Sequence, residues 1–215
     1  MPPVHNGDVY VPHFNAMADA DVEPFLAAHS AGHLVTVGPD GRPDVTLLPL
    51  IIDGGRVLAH FARANEHWKR IAPASPALIV VTAADAYISP SWYASKAEHG
   101  KVVPTWNYSE IQLTGTVTVH DDPDWVRDVV GRLTERHEAH RAEPWAVTDA
   151  PDRYVAGQLK AIVGVEFVVE QVSAKAKLSQ NRSDADRAGA IAGLSREPGH
   201  RAHDVADAMR AALGD

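Results

Sequence analysis

"HLVTVGPDGRPDVTLLPLIIDGGRVLAHF", residues 33–61, decides the fold. Its apolar runs are short, rich in β-branched residues and separated by dense turn chemistry. "HLVTV" (33–37) reads as a strand, "GPDGRP" (38–43) as a turn and "DVTLLPLII" (44–52) as the returning strand, which makes a hairpin. "DGG" (53–55) then turns the chain into a third strand, "RVLAHF" (56–61). Pro49 has no N–H for a ladder, so the second strand carries a bulge or lies at an edge there.

Outward from this stretch the pattern continues. "ALIVVTA" (77–83) is a continuous apolar run, hence a buried strand, and "YISPSWY" (87–93) ends it in a short helix. "SEIQLTGTVTVHD" (109–121) alternates through Ile111, Leu113, Gly115, Val117 and Val119, a long strand with a glycine bend. "IVGVEFVVEQVSAK" (162–175) is the last long strand. Helical patterns occupy "DADVEPFLAAHS" (19–30) and "DPDWVRDVVGRLTERHEAH" (122–140). The second has Asp122 as N-cap and an apolar face of Trp125, Val129, Val130 and Leu133. "PDRYVAGQLKA" is a shorter helix, and "SDADRAGAIAGL" and "HDVADAMRAAL" are C-terminal ones. Residues 1–18 read as an arm with strand character in "VYVPHF". Long hairpin-connected strands without βαβ alternation predict a mainly β, α+β protein: an antiparallel barrel with peripheral helices. The expected organisation is a barrel domain over 1–183 and a helical extension over 184–215.

The bulk numbers fit that picture. The chain has 215 residues, 45% hydrophobic and 22% charged, enough for one sizeable core. No cysteine is present, which excludes disulfides, thiolate metal sites and a cysteine nucleophile. No apolar run is long enough to span a membrane, and the N-terminus lacks a basic and apolar leader, so a cytoplasmic protein without membrane attachment is expected. A net charge of −8 lowers the expectation of DNA binding, because phosphate contacts need a positive face.

"HFARANEHWKR" (60–70) hands a strand to a helical turn expected over Glu66–Ala72. Arg63, Asn65, Trp68 and Lys69 crowd the join, where backbone N–H groups converge and an anion could be held. The alternative is a core Trp68 with Arg63, Lys69 and Arg70 on a solvated face. "RHEAHRAE" (136–143) places His137 and His140 three apart, so it lacks the four-residue spacing of a zinc-binding helix.

"VTLLPLII", "HFARANEHWK", "YISPSWY", "VPTWNY" and "KLSQNRS" occur in this order, and together they resemble the PaiB-like family of FMN-binding negative transcriptional regulators. The resemblance covers roughly residues 8–195. It implies the flavin-binding split barrel shared with pyridoxamine-phosphate oxidases and flavin reductases. It also implies a homodimer with FMN in a groove between subunits. On that footing Arg63, Asn65, Trp68 and Lys69 become the phosphate cradle, with His60 on the strand leading into it. Thr46, Leu47 and Leu48 line the ring, with only one of the two leucines able to point inside. Where this sequence has Leu47 and Leu48, the family commonly has a histidine before "LPL", so backbone groups remain for contact. Trp92, Tyr93, Trp106 and Tyr108 are aromatic candidates for stacking or core. Asn107 is the better site candidate because a buried amide needs partners. Lys177 and Gln180 are assigned to the late segment that reaches the flavin, against the alternative of a loop leading to a helix capped by Ser183 or Asp184. Three functions are weighed: the FMN-binding regulator, with DNA as a partner; an FMN-dependent oxidoreductase; and a haem-binding barrel using His29, His33 or His60.

Overall fold

The computed structural model describes residues 1–5 and 9–213. The strands are β1 (Ala31–Val37), β2 (Pro43–Pro49), β3 (Ile51–Asp53), β4 (Arg56–Ala62), β5 (Ser75–Ile88), β6 (Thr105–His120) and β7 (Ile162–Lys177). The α-helices are α1 (Asp19–Ala28), α2 (Ser95–His99), α3 (Pro123–Glu138), α4 (Asp152–Leu159), α5 (Asp184–Leu194) and α6 (His200–Ala211). The strands form one sheet in the order β2-β1-β5-β6-β7-β4-β3. β1 pairs antiparallel with β2 and β5, and β4 pairs antiparallel with β3 and β7. This is the expected antiparallel barrel with peripheral helices.

The run 44–52, expected as one strand, divides at Leu50. Up to Pro49 it pairs with β1, where Pro49 lies opposite Ala31. From Ile51 it pairs with β4, where Ile51 lies opposite Leu58. One continuous apolar segment therefore supplies both edges of the sheet, and the sheet closes through this corner. Pro49 suits the corner because it has no N–H to leave unpaired. The next donor, Leu50 N–H, reaches the Ser30 carbonyl at 2.8 Å. The other correction is at the N-terminus. "VYVPHF" is not a strand: His13–Asn15 form a 3-10 turn after Pro12, and Ala16, just beyond it, makes an isolated bridge to Lys175.

Two compact units partition the chain. The first comprises Met1–Pro3, Glu23–Val81 and Gln112–Val172; the second comprises Val4–Val22, Thr82–Ile111 and Ser173–Asp215. In the first, Val129 and Leu133 of α3 bury against Ile51 and Leu58, and Val126 buries against Val155 and Leu159 of α4. Asp122 caps α3 as expected, accepting from Asp124 N–H at 2.8 Å. In the second, Ile191 and Leu194 of α5 and Val205 and Met209 of α6 share a core with Ile88, Tyr93 and Leu178. Ser183 caps α5, its hydroxyl accepting from Asp186 N–H at 3.2 Å.

Gly115 in β6 answers to a close approach: a Cβ there would lie 1.9 Å from the Val168 carbonyl oxygen. Gly131 in α3 is the contrast, with nothing within 4 Å of such an atom. Gly115→Ala is expected to lower stability by about 1–3 kcal/mol through overpacking. Gly131→Ala is expected to raise it by up to about 1 kcal/mol through helix propensity. Urea midpoints of the two variants against the parent check both signs.

Candidate functional site

The segment after β4 folds into a tight knot in the first unit. It is a five-residue 3-10 turn, Glu66–Arg70, shorter than the helical turn expected. Asn65 caps it, its Oδ1 accepting from His67 N–H at 3.0 Å. The Asn65 amide also donates to Thr46 Oγ1 at 3.1 Å. Thr46 in turn lies 2.8 Å from His67 Nδ1, and His67 Nε2 lies 2.9 Å from Thr36 Oγ1. The structure thus joins Thr46 and Asn65, both anticipated, through His67, which was not. His67 is 5% exposed and its ring meets Phe61 edge-on at 5.1 Å. Burial pulls its pKa below the ordinary histidine value; Asp44 opposes that shift and Arg70 adds to it. The imidazole is therefore neutral at pH 7.

The cations of the segment have different fates. Arg63 donates from Nε to the Lys160 carbonyl at 2.8 Å and from Nη2 to the Ile162 carbonyl at 3.1 Å, and it forks onto the Asp121 carboxylate. Arg70 pairs with Asp44 at 2.7 Å and with Asp40. The Trp68 indole N–H closes the loop on the Arg63 carbonyl at 3.0 Å. Lys69 instead pairs with Glu66, at 2.8 Å between side chains 50% and 72% exposed, and lies 5.8 Å over the Trp68 ring. Such a surface pair is worth little and opens readily. Of the anticipated cradle, Lys69 is the cation whose partner is easily exchanged; Arg63 and Trp68 hold the loop's shape.

Alternation on β2 separates the ring-lining candidates. Thr46 and Leu48 face inward, Leu48 being 4% exposed, while Leu47 faces outward at 59%. Outward with it lie Val45 on β2, His33, Val35 and Val37 on β1, and Leu78 and Val80 on β5, as the ladder register places them on one face. Val37 and Val45 are both 62% exposed, so this face is apolar and open to water.

His60 goes elsewhere. Phe61 packs on His67, so its neighbour His60 takes the opposite face of β4. There it lines a cavity of about 280 Å³ with Pro49, Leu133, His137 and Trp145. Burial lowers its pKa, and its Nδ1 is buried without a partner among the described residues. The other histidine candidates do not join it: His29 bonds to the Phe25 carbonyl and stacks on Phe25, and His33 is exposed on β1.

The remaining candidates belong to the second unit. Asn107 is fully buried, and its amide donates to Ser179 Oγ at 3.0 Å and to Met209 Sδ at 3.3 Å. Its partners tie β6 to the "KLSQNR" turn and α6. Ser179 takes a left-handed backbone, φ 66°, in that turn. Gln180 closes the same turn, accepting from Leu178 N–H at 2.8 Å and donating to the Ala176 carbonyl. Lys177 donates to the Trp106 carbonyl at 2.6 Å and to the Thr105 hydroxyl. Burial, helped by neighbouring Lys175, lowers its pKa. Trp106 is 53% exposed and meets Tyr87 edge-on at 6.1 Å. The residue missed by sequence reasoning, His67, did leave a signal: it stands two places after Asn65, the spacing of a side-chain cap.

The family described as "Putative FMN-binding domain" matches residues 9–171. The chain is 30% identical over 206 residues to Protease synthase and sporulation protein PAI 2 of Bacillus subtilis (strain 168), which covers 94% of this chain and 96% of that protein. It is 33% identical over 100 residues to the uncharacterized protein YKL070W of Saccharomyces cerevisiae, 46% of this chain and 59% of that one. Among solved structures, conserved hypothetical protein Rv2991 of Mycobacterium tuberculosis superposes with a TM-score of 0.57 at 15% identity, over 80% of this chain and 92% of that one. The FAD and haem binding protein of Mycobacterium smegmatis gives 0.57 at 19% identity, over 77% and 74%. At these identities the two structures share the fold with this chain.

The neutral, buried His67 sets a pH dependence. The folded state disfavours the imidazolium, so the unfolded chain takes up the proton more readily and stability rises with pH. The contribution is intact above the unfolded histidine pKa, about 6.5, and declines as pH falls through it toward the lowered folded value. The urea midpoint is expected to drop between about pH 7.5 and about pH 5.5, and to drop less in His67→Gln, which removes this imidazole's share of the proton uptake.

Proposed function

The chain belongs to the FMN-binding domain family that includes PAI 2 of Bacillus subtilis, and on that premise we propose that it acts as an FMN-loaded homodimer with a regulatory output. FMN is the cofactor of this family, and it supplies redox chemistry at its isoalloxazine ring when bound. Its phosphate needs a cation, and Lys69, whose carboxylate partner is the exposed Glu66, can exchange that partner for a dianion. Arg63, through Asp121 and two carbonyls, holds the loop that presents Lys69. The flat ring needs an apolar surface, which Val45 and Leu47 offer on the outward face of β2. Thr46 and Asn65, bonded to each other, fix that strand to the loop.

The observation that carries the dimer is the open apolar face of β1, β2 and β5. Val37, Val45 and Leu47 each stand about 60% exposed there, which water disfavours and a second copy would relieve. A twofold pairing of that face places the ring-bearing surface of β2 in an inter-subunit groove.

The resemblance to negative transcriptional regulators supplies the output. Direct DNA contact has little electrostatic support. Among the cations near the last strand, Arg187 pairs with Asp184 and Lys177 with a carbonyl. Salt-sensitive retardation of promoter DNA supports direct binding; its absence at low salt moves the output to a protein partner.

Two variants test the site. Leu47→Glu is expected to convert a dimer to a monomer in sedimentation equilibrium and to release FMN. Lys69→Ala is expected to leave the dimer intact while FMN affinity falls about 10- to 100-fold, as for loss of one charge-assisted contact. A dimer indifferent to Leu47→Glu, or FMN retention indifferent to Lys69→Ala, overturns the corresponding half of the proposal.

A further inference from the structure

A second concavity lies wholly within the second unit, away from the loop that carries Lys69 in sequence and in unit. It encloses about 500 Å³, within the range of small-molecule sites, and is lined by Tyr87, Trp92, Trp106, Leu194, Glu197 and Arg201. Its walls are aromatic. Trp106 is 53% exposed and Tyr87 46%, and they stand edge to face with ring centres 6.1 Å apart. Trp92 is set by α5: a Cβ on Gly193 would lie 2.2 Å from its indole, so only glycine lets the ring sit there. The backbone of Trp106 is fixed in turn by Lys177, whose ammonium donates to its carbonyl at 2.6 Å.

The charges at the rim decide the ligand's sign. Arg201 is paired with Asp85, whose carboxylate offsets its positive charge without removing it, since the two side chains are 60% and 41% exposed. Glu197, in the connection between α5 and α6, has a carboxylate with no hydrogen bond or ion pair among the described residues. The cavity thus combines aromatic faces, which carry negative electrostatic potential, with an unmatched carboxylate. That combination attracts an organic cation and repels an anion.

We infer that this cavity binds a small organic cation, a protonated or quaternary amine with an apolar body. The amine would lie against the faces of Trp106 and Tyr87 with its charge toward Glu197, and its apolar part would reach Leu194 and Trp92. The cavity gives Trp106 a ligand other than the flavin expected from sequence. It also gives the C-terminal helices a part in binding, because α5 contributes Leu194 and Gly193 and the following segments contribute Glu197 and Arg201.

The test uses the full-length, FMN-loaded protein and isothermal titration calorimetry with benzyltrimethylammonium, and with benzenesulfonate as its anionic counterpart. Saturable binding of the ammonium is expected, with the sulfonate at least about tenfold weaker. Glu197→Gln, an exposed substitution, is expected to weaken the ammonium about tenfold with FMN content unchanged. Trp106→Phe is expected to retain binding and Trp106→Ala to lose it. Equal binding of the two probes, no saturable binding of the ammonium, or an affinity unaffected by Glu197→Gln overturns the inference. Loss of FMN in Trp106→Phe also overturns it, because the cavity would then belong to the flavin site. The flavin proposal is judged separately by Lys69→Ala, a residue outside this cavity.

Discussion

The imidazole of His67, gripped between two threonine hydroxyls, is the contact on which the first unit's arrangement depends. Thr36 belongs to β1, Thr46 to β2, and His67 to the turn that follows β4. β1 and β2 are neighbours at one end of the strand order, and β4 lies near the other. A buried polar ring with both nitrogens bonded can hold such elements in one register, because breaking either bond leaves a desolvated group unmatched. Apolar packing around Phe61 supplies the bulk of the attraction but is tolerant of small slides; hydrogen bonds at 2.8 and 2.9 Å are not.

With the turn fixed, the surrounding charges sort themselves. Arg63 precedes the turn and Arg70 ends it, and each is bound to carboxylate of the same unit, Asp121 for the first and Asp40 and Asp44 for the second. Guanidinium forks suit that anchoring role, since their planar donors match a carboxylate's two oxygens. Lysine, a flexible point charge, is left at the exposed position. The division of labour follows from the chemistry of the two side chains: the planar cations hold the scaffold and the flexible one faces the solvent.

Much of this was legible in the amino-acid order. Alternation in 109–121 and the turn residues of 38–43 and 53–55 located long strands and hairpins because local chemistry dictates them. The cap of α3 at Asp122 was equally local. The division at Leu50 was not, because the same alternation serves whichever neighbour the strand pairs with, and the choice depends on closure of the whole sheet. The site residues show the same split. Thr46 and Asn65 could be named from their segments, yet Arg63 looked like a phosphate ligand until Asp121, remote in sequence, appeared beside it. Asn107 is a buried amide with partners, but those partners, Ser179 and Met209, come from the far end of the chain.

The threonine–histidine arrangement also has two proton patterns. Thr46 Oγ1 already receives a hydrogen from Asn65. If His67 carries its proton on Nδ1, Thr46 receives a second one and its own hydroxyl hydrogen is left to point away from the ring. If the proton sits on Nε2, Thr36 receives it, and Thr46 must turn its hydrogen inward. A change of tautomer deep in the barrel would therefore switch β2 between offering and withholding a hydroxyl donor, with no heavy atom moved.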